Sequence, residues 1–434
     1  MNKANTLLTS ALLLMTATIT RAQQISLSDL FDIAEEESQA IRISHLATSK
    51  AEESISQAKS NRLPDISAEL SVGYLADALL SNRDFSHWTH IDNPHFTNDF
   101  TLKAQQVIYS GGALTSGIRM AQTQKRLAEL NLTANRQEIR FIIAGLYLDI
   151  CRLQNQVHVI TDNIALSDTL LAQTSSRVTA GTALTTDLTR QELHHENLLL
   201  RLRQTQDAIS VLRHQLSTTL HRDITGYSLT LDTLTSDSIA SINTRPWQQE
   251  ASCTNARIDQ ASADITIKRH MLKTKQSDML PKIAIVAENH FNGPITFEVP
   301  VLNSNINYWF AGIGIQYSLS SIWKSNKPLR QARFDLMSSQ ENLTLVREEI
   351  SNGVKSAHTS LLTAQTELNT HRKSLQLAKE HYGIIANRYT NGLCLLTDLL
   401  DAANTRLSAE LSLVDSHINI MYHYYQLRYL TSTL

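Results

Sequence analysis

No stretch of this 434-residue chain has about 18 consecutive apolar residues, so nothing in it reads as a transmembrane helix. Cysteine is nearly absent. Cys151, Cys253 and Cys394 are odd in number and widely scattered, which excludes a disulfide framework or a cysteine zinc site. The 13 glycines and 7 prolines are few and leave few places where a helix must stop. Neither sign of charge dominates: 39 Lys and Arg face 41 Asp and Glu, a net charge of −2. That gives no nucleic-acid footprint. Ser110-Gly111-Gly112 lacks the Gly-Lys-Ser/Thr of a phosphate loop and reads as a strand-to-helix turn. His194-His195-Glu196 places adjacent histidines on different sides of a helix, without HExxH spacing, so no metal site is assigned. No Ser/His/Asp set stands out. The expectation is a protein with no catalytic residue, no cofactor and no enzymatic activity.

What the chain does have is Thr, Ser, Gln, Asn and Leu, a composition suited to long helices with wet sides. It opens with Met1-Asn2-Lys3, an apolar run from Leu7 to Ile19, then Thr20-Arg21-Ala22-Gln23. A positive start, a short apolar stretch and a small-residue site form a secretory signal, expected to be cut after Ala22. No cysteine lies near the cut, so a lipoprotein anchor is not expected.

The chain then repeats itself. Asn131-Leu132-Thr133 recurs as Asn342-Leu343-Thr344, an offset of 211. Both match a glycosylation sequon, a chance match duplicated with the repeat. At the same offset Arg136, Glu138 and Ile139 recur as Arg347, Glu349 and Ile350, Arg177…Gly181 as Arg388…Gly392, and Thr186-Asp187-Leu188 as Thr397-Asp398-Leu399. A register held without a gap means that the spacing itself is constrained, as in a rod. Ile139, Ile143, Leu146, Ile150, Leu153, Val157, Ile160 and Ile164 alternate by four and three, a seam of two positions per heptad. Ile350, Val354, Ala357, Leu361, Ala364, Leu368, His371 and Leu375 are the second copy. Each rod, at ~1.5 Å per residue, reaches about 100 Å. Gly181 and Gly392 supply left-handed caps. Asp187 and Asp398 then open a returning helix, where a carboxylate suits the N-terminus. The returning helices have less uniformly apolar seams, so looser packing is expected of both.

Before each rod the period changes to two. Ile66, Ala68, Leu70, Val72 and Tyr74 alternate with Ser67, Glu69, Ser71 and Gly73; Phe100, Leu102 and Ala104 alternate with Thr101, Lys103 and Gln105. Trp309, Ala311, Ile313 and Ile315 alternate with Phe310, Gly312, Gly314 and Gln316, and a less regular run follows Pro281. These are strands with one apolar and one polar or small face. Ile66, Leu70, Val72, Ile313 and Ile315 are expected to face lipid, and Glu69, Lys103 and Gln316 a wet lumen. Loops are expected near Ser81–Asn93 and Asn292–Asn305. Trp88, Trp309 and Trp323 fall in or beside these segments, as an interfacial belt would.

The organisation expected is therefore a signal peptide (1–22); a first repeat (23–221) with a leading helix, strands at about 63–112 and a long helical hairpin; a linker (222–244) with a short strand near Ser228–Leu234; and a second repeat (245–434) with a leading helix, strands at about 280–324 and a second hairpin. The leading helical runs are Ile25–Asn61 and Arg245–Met279.

Signal, helix, proline, two strands, rod, glycine tip and return helix, all done twice, closely resembles the outer membrane efflux protein (TolC) family. The resemblance spans the chain after the signal. Its specific parts are Arg177…Gly181…Asp187-Leu188 and Arg388-Tyr389…Gly392…Asp398-Leu399-Leu400-Asp401. It implies a mainly α protein with a transmembrane β-barrel: four strands per chain in a homotrimeric twelve-stranded barrel, continued by coiled-coil hairpins as a periplasmic tunnel, with the linker at its equator. It implies an exit duct in the bacterial outer membrane, extending into the periplasm, that passively conducts substrates from an inner-membrane pump and a periplasmic adaptor. Gly181, Gly392, Arg177, Asp187 and Arg388 become adaptor-contact candidates at the tips. Asp398 and Asp401 become an acidic ring at the periplasmic entrance, against their plainer reading as helix N-terminal carboxylates. Cys394 departs from the pattern, since an arginine often stands beside the tip aspartates. A pore-free periplasmic coiled-coil scaffold or adhesin is the alternative; the alternating strands argue against it.

Overall fold

The computed structural model describes residues 24–224, 226–229, 242 and 244–434. The expected signal (1–22) and residues 230–234 of the linker strand lie outside the described residues. In chain order the elements are β1 (Gln24–Ile25), α1 (Leu27–Glu37), α2 (Gln39–Ser60), β2 (Asp65–Tyr74), β3 (Ala78–Leu80), β4 (Thr89–Ile91), β5 (Phe96–Tyr109), α3 (Ala113–Thr179) and α4 (Thr185–Leu220). Then come β6 (Ser228–Leu229), α5 (Trp247–Thr254), α6 (Ala256–Ser277), β7 (Lys282–Gly293), β8 (Ile306–Gln316), α7 (Ser321–Lys324), α8 (Asn326–Thr390) and α9 (Leu396–Leu430). Among the described residues, no helix is long and apolar enough to cross a membrane.

Two compact units divide the chain, and each draws on both sequence repeats. The first gathers the residues up to His45, Asn131–Ile258 and Val346–Leu434. Its largest core joins Ile143, Tyr147, Leu148 and Ile150 of α3 to Leu30 of α1, Leu216 and Leu220 of α4, and Ile418 and Met421 of α9. Each fully buried Leu or Ile contributes ~1.5–3 kcal/mol. β1 and β6 pair in parallel and add Ile25 and Leu229 to this core. In α8 the seam is as expected: Ile350, Val354, Ala357, Leu361, Ala364 and Leu368 are all buried, while His371 and Leu375 are half-buried. In α3 the expected stripe is too narrow. Ile139, Ile143, Ile150 and Ile160 are buried and Leu146, Leu153, Val157 and Ile164 half-buried, but Ala144, Tyr147, Leu148 and Cys151 are buried as well. Other elements crowd around this stretch, so burial spreads beyond two positions per heptad.

The leading helical runs are not continuous. α1 stops at Ser38 and α5 at Asn255, both extended in backbone and separated by 217, the offset that also relates Leu63-Pro64 to Leu280-Pro281. Neither position carries Gly or Pro. Asn255 makes the break through its side chain: Oδ1 accepts from the Arg257 N–H at 2.9 Å and Nδ2 donates to the Leu430 carbonyl at 2.7 Å. Short polar side chains can offer the backbone such an alternative to helix. At the start of α1, Ser26 and Asp29 form a reciprocal capping box.

The second unit, Leu46–Leu130 with Asp259–Leu345, holds a four-stranded antiparallel sheet of order β2-β5-β7-β8. The strands are 10, 14, 12 and 11 residues long, enough for tilted membrane strands of about 9–11 residues. Register fixes the faces. Ile66, Ala104, Ala287 and Ala311 lie in one cross-strand row, and Ser67, Lys103, Glu288 and Phe310 in the next, on the other face. By alternation Ile66, Leu70, Val72, Ile313 and Ile315 share the apolar face, and Glu69, Lys103 and Gln316 the opposite one. The five apolar side chains are 65–73% exposed in the single chain. The polar face carries a ladder: Lys103 Nζ to Glu288 Oε1 at 2.8 Å, Glu288 Oε2 to His290 Nε2 at 3.4 Å, and His290 Nδ1 to Thr101 Oγ1 at 3.0 Å. Phe310 also lies on this face, over Gly312, where a Cβ would come within 2.6 Å of the ring. At the strand-to-helix turn, Gly111 (φ +61°) approaches Leu280, whose Cβ would lie 2.9 Å from an added methyl. The loop expected near Ser81–Asn93 starts earlier and contains the β3–β4 hairpin. β7 runs to Gly293, so Asn292 is strand and not loop.

Candidate functional site

The two hairpin tips, both in the first unit, are built alike. Gly181 has φ 73° and Gly392 φ 71°. At the first tip the Gly181 N–H reaches the Val178 carbonyl (3.0 Å) and the Thr182 N–H the Arg177 carbonyl (2.8 Å); at the second, Gly392 N–H reaches Tyr389 (3.0 Å) and Leu393 N–H reaches Arg388 (2.8 Å). Both are Schellman caps. No atom lies within 4 Å of a Cβ built at either glycine, so backbone conformation alone requires glycine there. After the tip, Leu184 and Leu395 are the N-caps of α4 and α9. Leucine has no side-chain acceptor. At the second tip Asp398 compensates, accepting from the Leu395 N–H at 3.1 Å. It forms half of a capping box, so it does cap the helix. Asp187 stands at the equivalent place in α4, half-exposed.

Asp401 is exposed one turn further along α9. It lines an open groove with Asp398, Arg388, Gly392, Cys394, His381, Thr397 and Leu395. The acidic pair therefore shares its groove with a guanidinium and an imidazole. Cys394 donates weakly to the Ile385 carbonyl, Sγ to O 3.5 Å. Gly181 and Asp187 do not line this groove.

Arg177 is brought to the other tip. Its guanidinium lies 5.0 Å from the Tyr389 ring centroid, and Nη1 donates to the Tyr389 carbonyl at 3.3 Å. The first tip is thus tied to the second inside one chain. Arg388, its counterpart by repeat, is exposed. Tyr389 occupies the repeat position of Val178, and this asymmetry was the one sequence signal of the tie.

A second polar group escaped sequence reading. Glu410 of α9 accepts from Asn163 Nδ2 of α3 at 3.0 Å and from Arg406 Nε at 3.0 Å, with Lys379 Nζ of α8 at 3.8 Å. Arg406 lies over the Tyr382 ring at 5.3 Å. Burial pushes the Tyr382 hydroxyl above its ordinary pKa. Three helices are thereby pinned together a few turns from the tip.

The two expected returning helices differ. α4 buries five of its 36 residues, Gln191, Leu198, Thr205, Leu216 and Leu220. α9 buries twelve of 35, among them Leu396, Leu399, Leu400, Leu407 and Leu411. Looser packing holds for α4 and is wrong for α9, whose first turns sit in a cluster with Tyr382, Tyr389, Leu166 and Leu170.

Two strands followed by a long helical hairpin, done twice along the chain, define a class of protein. The model of the family described as "Outer membrane efflux protein" matches residues 30–218 and 247–431; the chain belongs to this family. Outer membrane protein TolC of Salmonella enteritidis is 20% identical over 330 residues, covering 73% of this chain and 66%, about two thirds, of that relative. Among solved structures, the outer membrane protein VceC of Vibrio cholerae superposes with a TM-score of 0.76 at 17% identity, covering 94% of this chain and 96% of that one. The CmeC outer membrane channel of Campylobacter jejuni does so with a TM-score of 0.76 at 13% identity, covering 94% and 85%. The fold is that of these mainly helical outer membrane channels, and the location is the outer membrane with extension into the periplasm.

Proposed function

We propose that this chain is the exit duct of a tripartite efflux or type I secretion system, passively conducting substrates delivered by an inner-membrane pump and a periplasmic adaptor. One observation carries the reading: the sheet has four strands with β2 and β8 at its edges, and an apolar face next to a polar one. Open edges are not tolerated in lipid. Four such strands close only by pairing β8 of one copy with β2 of the next, and a homotrimer gives a twelve-stranded barrel. The polar ladder then lines a wet lumen and the apolar face meets lipid. Each sequence repeat supplies two strands and one hairpin to that assembly. The pore-free scaffold has no use for an amphipathic sheet of membrane length.

The tips are the adaptor-facing end. Gly181, Gly392, Asp187 and Arg388 are exposed or half-exposed there, while Arg177 acts through Tyr389. Asp398 and Asp401 line the entrance, where three copies bring like charges together and attract cations. Cargo selection belongs to the pump.

The test is fractionation with cross-linking. A cysteine in β8 paired with one in β2, in a background lacking the native thiols, should give a covalent trimer in outer-membrane fractions. A soluble monomer sinks the duct. Single-channel recording of D398A/D401A then addresses the entrance: weaker block by multivalent cations is expected, and block unchanged from the parent leaves both aspartates as helix caps.

A further inference from the structure

The β2–β5 loop carries a side-chain cluster that the duct does not use. β3 and β4 pair as Ala78↔Ile91, Leu79↔His90 and Leu80↔Thr89. One step beyond the first pair, Asp77 stands opposite Asp92. Two carboxylates directly across a hairpin repel. His90, two residues before Asp92, projects from the same face, and its Nε2 lies 3.2 Å from Asp92 Oδ1 and 3.5 Å from Asp77 Oδ2. One ligand atom from each of the three residues lies within 4.8 Å of the others.

The two His90–carboxylate spacings, 3.2 and 3.5 Å, match the edges of a metal coordination sphere. Zinc bonded to nitrogen and oxygen at about 2.0–2.1 Å in a tetrahedron has ligand–ligand edges of about 3.3–3.4 Å. We infer that Asp77, His90 and Asp92 form a binding site for a divalent transition-metal cation of the zinc type, clipping the open end of this loop hairpin. The donor set is mixed nitrogen and oxygen, which suits zinc better than calcium or magnesium. Two carboxylates and one neutral imidazole match a divalent charge and leave a fourth position to water.

The surroundings are built for it. The Asn93 N–H donates to Asp77 Oδ1 at 3.0 Å, and Asn93 Nδ2 to the Ala76 carbonyl at 2.8 Å. Asn93 Oδ1 is buried with no hydrogen-bond partner, a further oxygen beside the cluster. His95 Nδ1, 3.9 Å from Asp77 Oδ1, is anchored on the Leu75 carbonyl and its ring stacks on Tyr74. His95 is thus a neighbour that orients the site rather than a ligand.

The experiment is a Zn2+ titration of the purified full-length protein in detergent against a chromophoric chelator, repeated with Co2+ to read its visible absorption. One Zn2+ per chain is expected, with the affinity lowered at least about tenfold in H90A and in D92N. D77N, which preserves an acceptor for the Asn93 N–H, should behave like them. D84N, an exposed loop carboxylate outside the cluster, should bind as the parent does. Among the described residues the Asp92 side chain pairs only with His90, so D92N is expected to leave the fold intact and its result is decisive. Affinity unchanged in both H90A and D92N, or no Zn2+ bound by the parent, overturns the site.

Discussion

The two returning helices descend from one duplicated pattern and have come to opposite states. α4 leaves Leu193 and Leu200 exposed and buries Gln191, whose Nε2 reaches Ser167 Oγ at 3.2 Å while its Oε1 has no partner. α9 buries leucines at the matching depth and is pinned through Glu410. The tips themselves are alike to within 0.2 Å in their cap hydrogen bonds. Local cap chemistry therefore does not decide how firmly a hairpin is held; the apolar content of the helix beyond it does. Within the chain, α4 is the cheaper of the two helices to displace.

The largest expected effect separates the two directly. Leu399→Ala empties a fully buried site in α9 and should cost about 2–5 kcal/mol. Leu200→Ala in α4 should change stability by no more than about 0.5 kcal/mol. Thermal unfolding in detergent, followed by circular dichroism, measures both. Equal losses would break the comparison, and would mean that another copy covers Leu200 in the assembly. Next in size are the caps. Gly181→Ala and Gly392→Ala each force a methyl into the left-handed region, at about 1–2 kcal/mol. The two costs should match, because neither site has a neighbour within 4 Å. A larger loss at Gly392 would show that the second tip's packing depends on its cap.

Much of this architecture is legible in the sequence. The offset of 211 gave both rods and both tips, because a helix converts sequence spacing into fixed distance. Strand alternation gave the faces of the sheet, since period two leaves no freedom once one face is apolar. The breaks at Ser38 and Asn255 were not legible: neither residue is a strong helix breaker, and the Asn255 break depends on the Leu430 carbonyl far along the chain. The width of the buried face in α3 was hidden because it depends on how many elements surround that stretch. The Arg177–Tyr389 tie spans 212 residues, and its one trace in the sequence is that Tyr389 stands where the first copy has Val178. Asp77 and His90 come together only through the register of a three-residue hairpin. Helical spacing gave no metal site at His194-His195-Glu196, and no linear pattern marks the approach of Asp77 to His90.

A smaller effect tests the tie. Arg177 and Arg388 occupy the same repeat position, but only Arg177 has an aromatic ring beneath it. Arg177→Ala should cost about 0.5–1 kcal/mol, and Arg388→Ala less. Lysine at 177 keeps the charge and loses the planar stacking, so it should recover only part of the loss. Urea unfolding of the three variants orders them. If Arg388→Ala is the more damaging, the tip is held by contacts between copies and not by this one within the chain.

The mildest probe perturbs nothing and reads the same difference through native thiols. Cys151 lies buried in α3, and burial pushes its pKa up to about 12. At pH 8 its thiolate fraction is then on the order of one in ten thousand, and the thiolate is the reacting species. Cys394 is half-exposed at the second tip and Cys253 is exposed. Maleimide labelling of the folded protein should reach Cys253 first, Cys394 more slowly, and Cys151 only after denaturant is added. Raising the pH from 7 to 9 should leave Cys151 unlabelled, because access and ionisation fail together there. Labelling of Cys151 in the folded protein would mean that the core around α3 opens, and that the first hairpin is loose along its length and not only in α4.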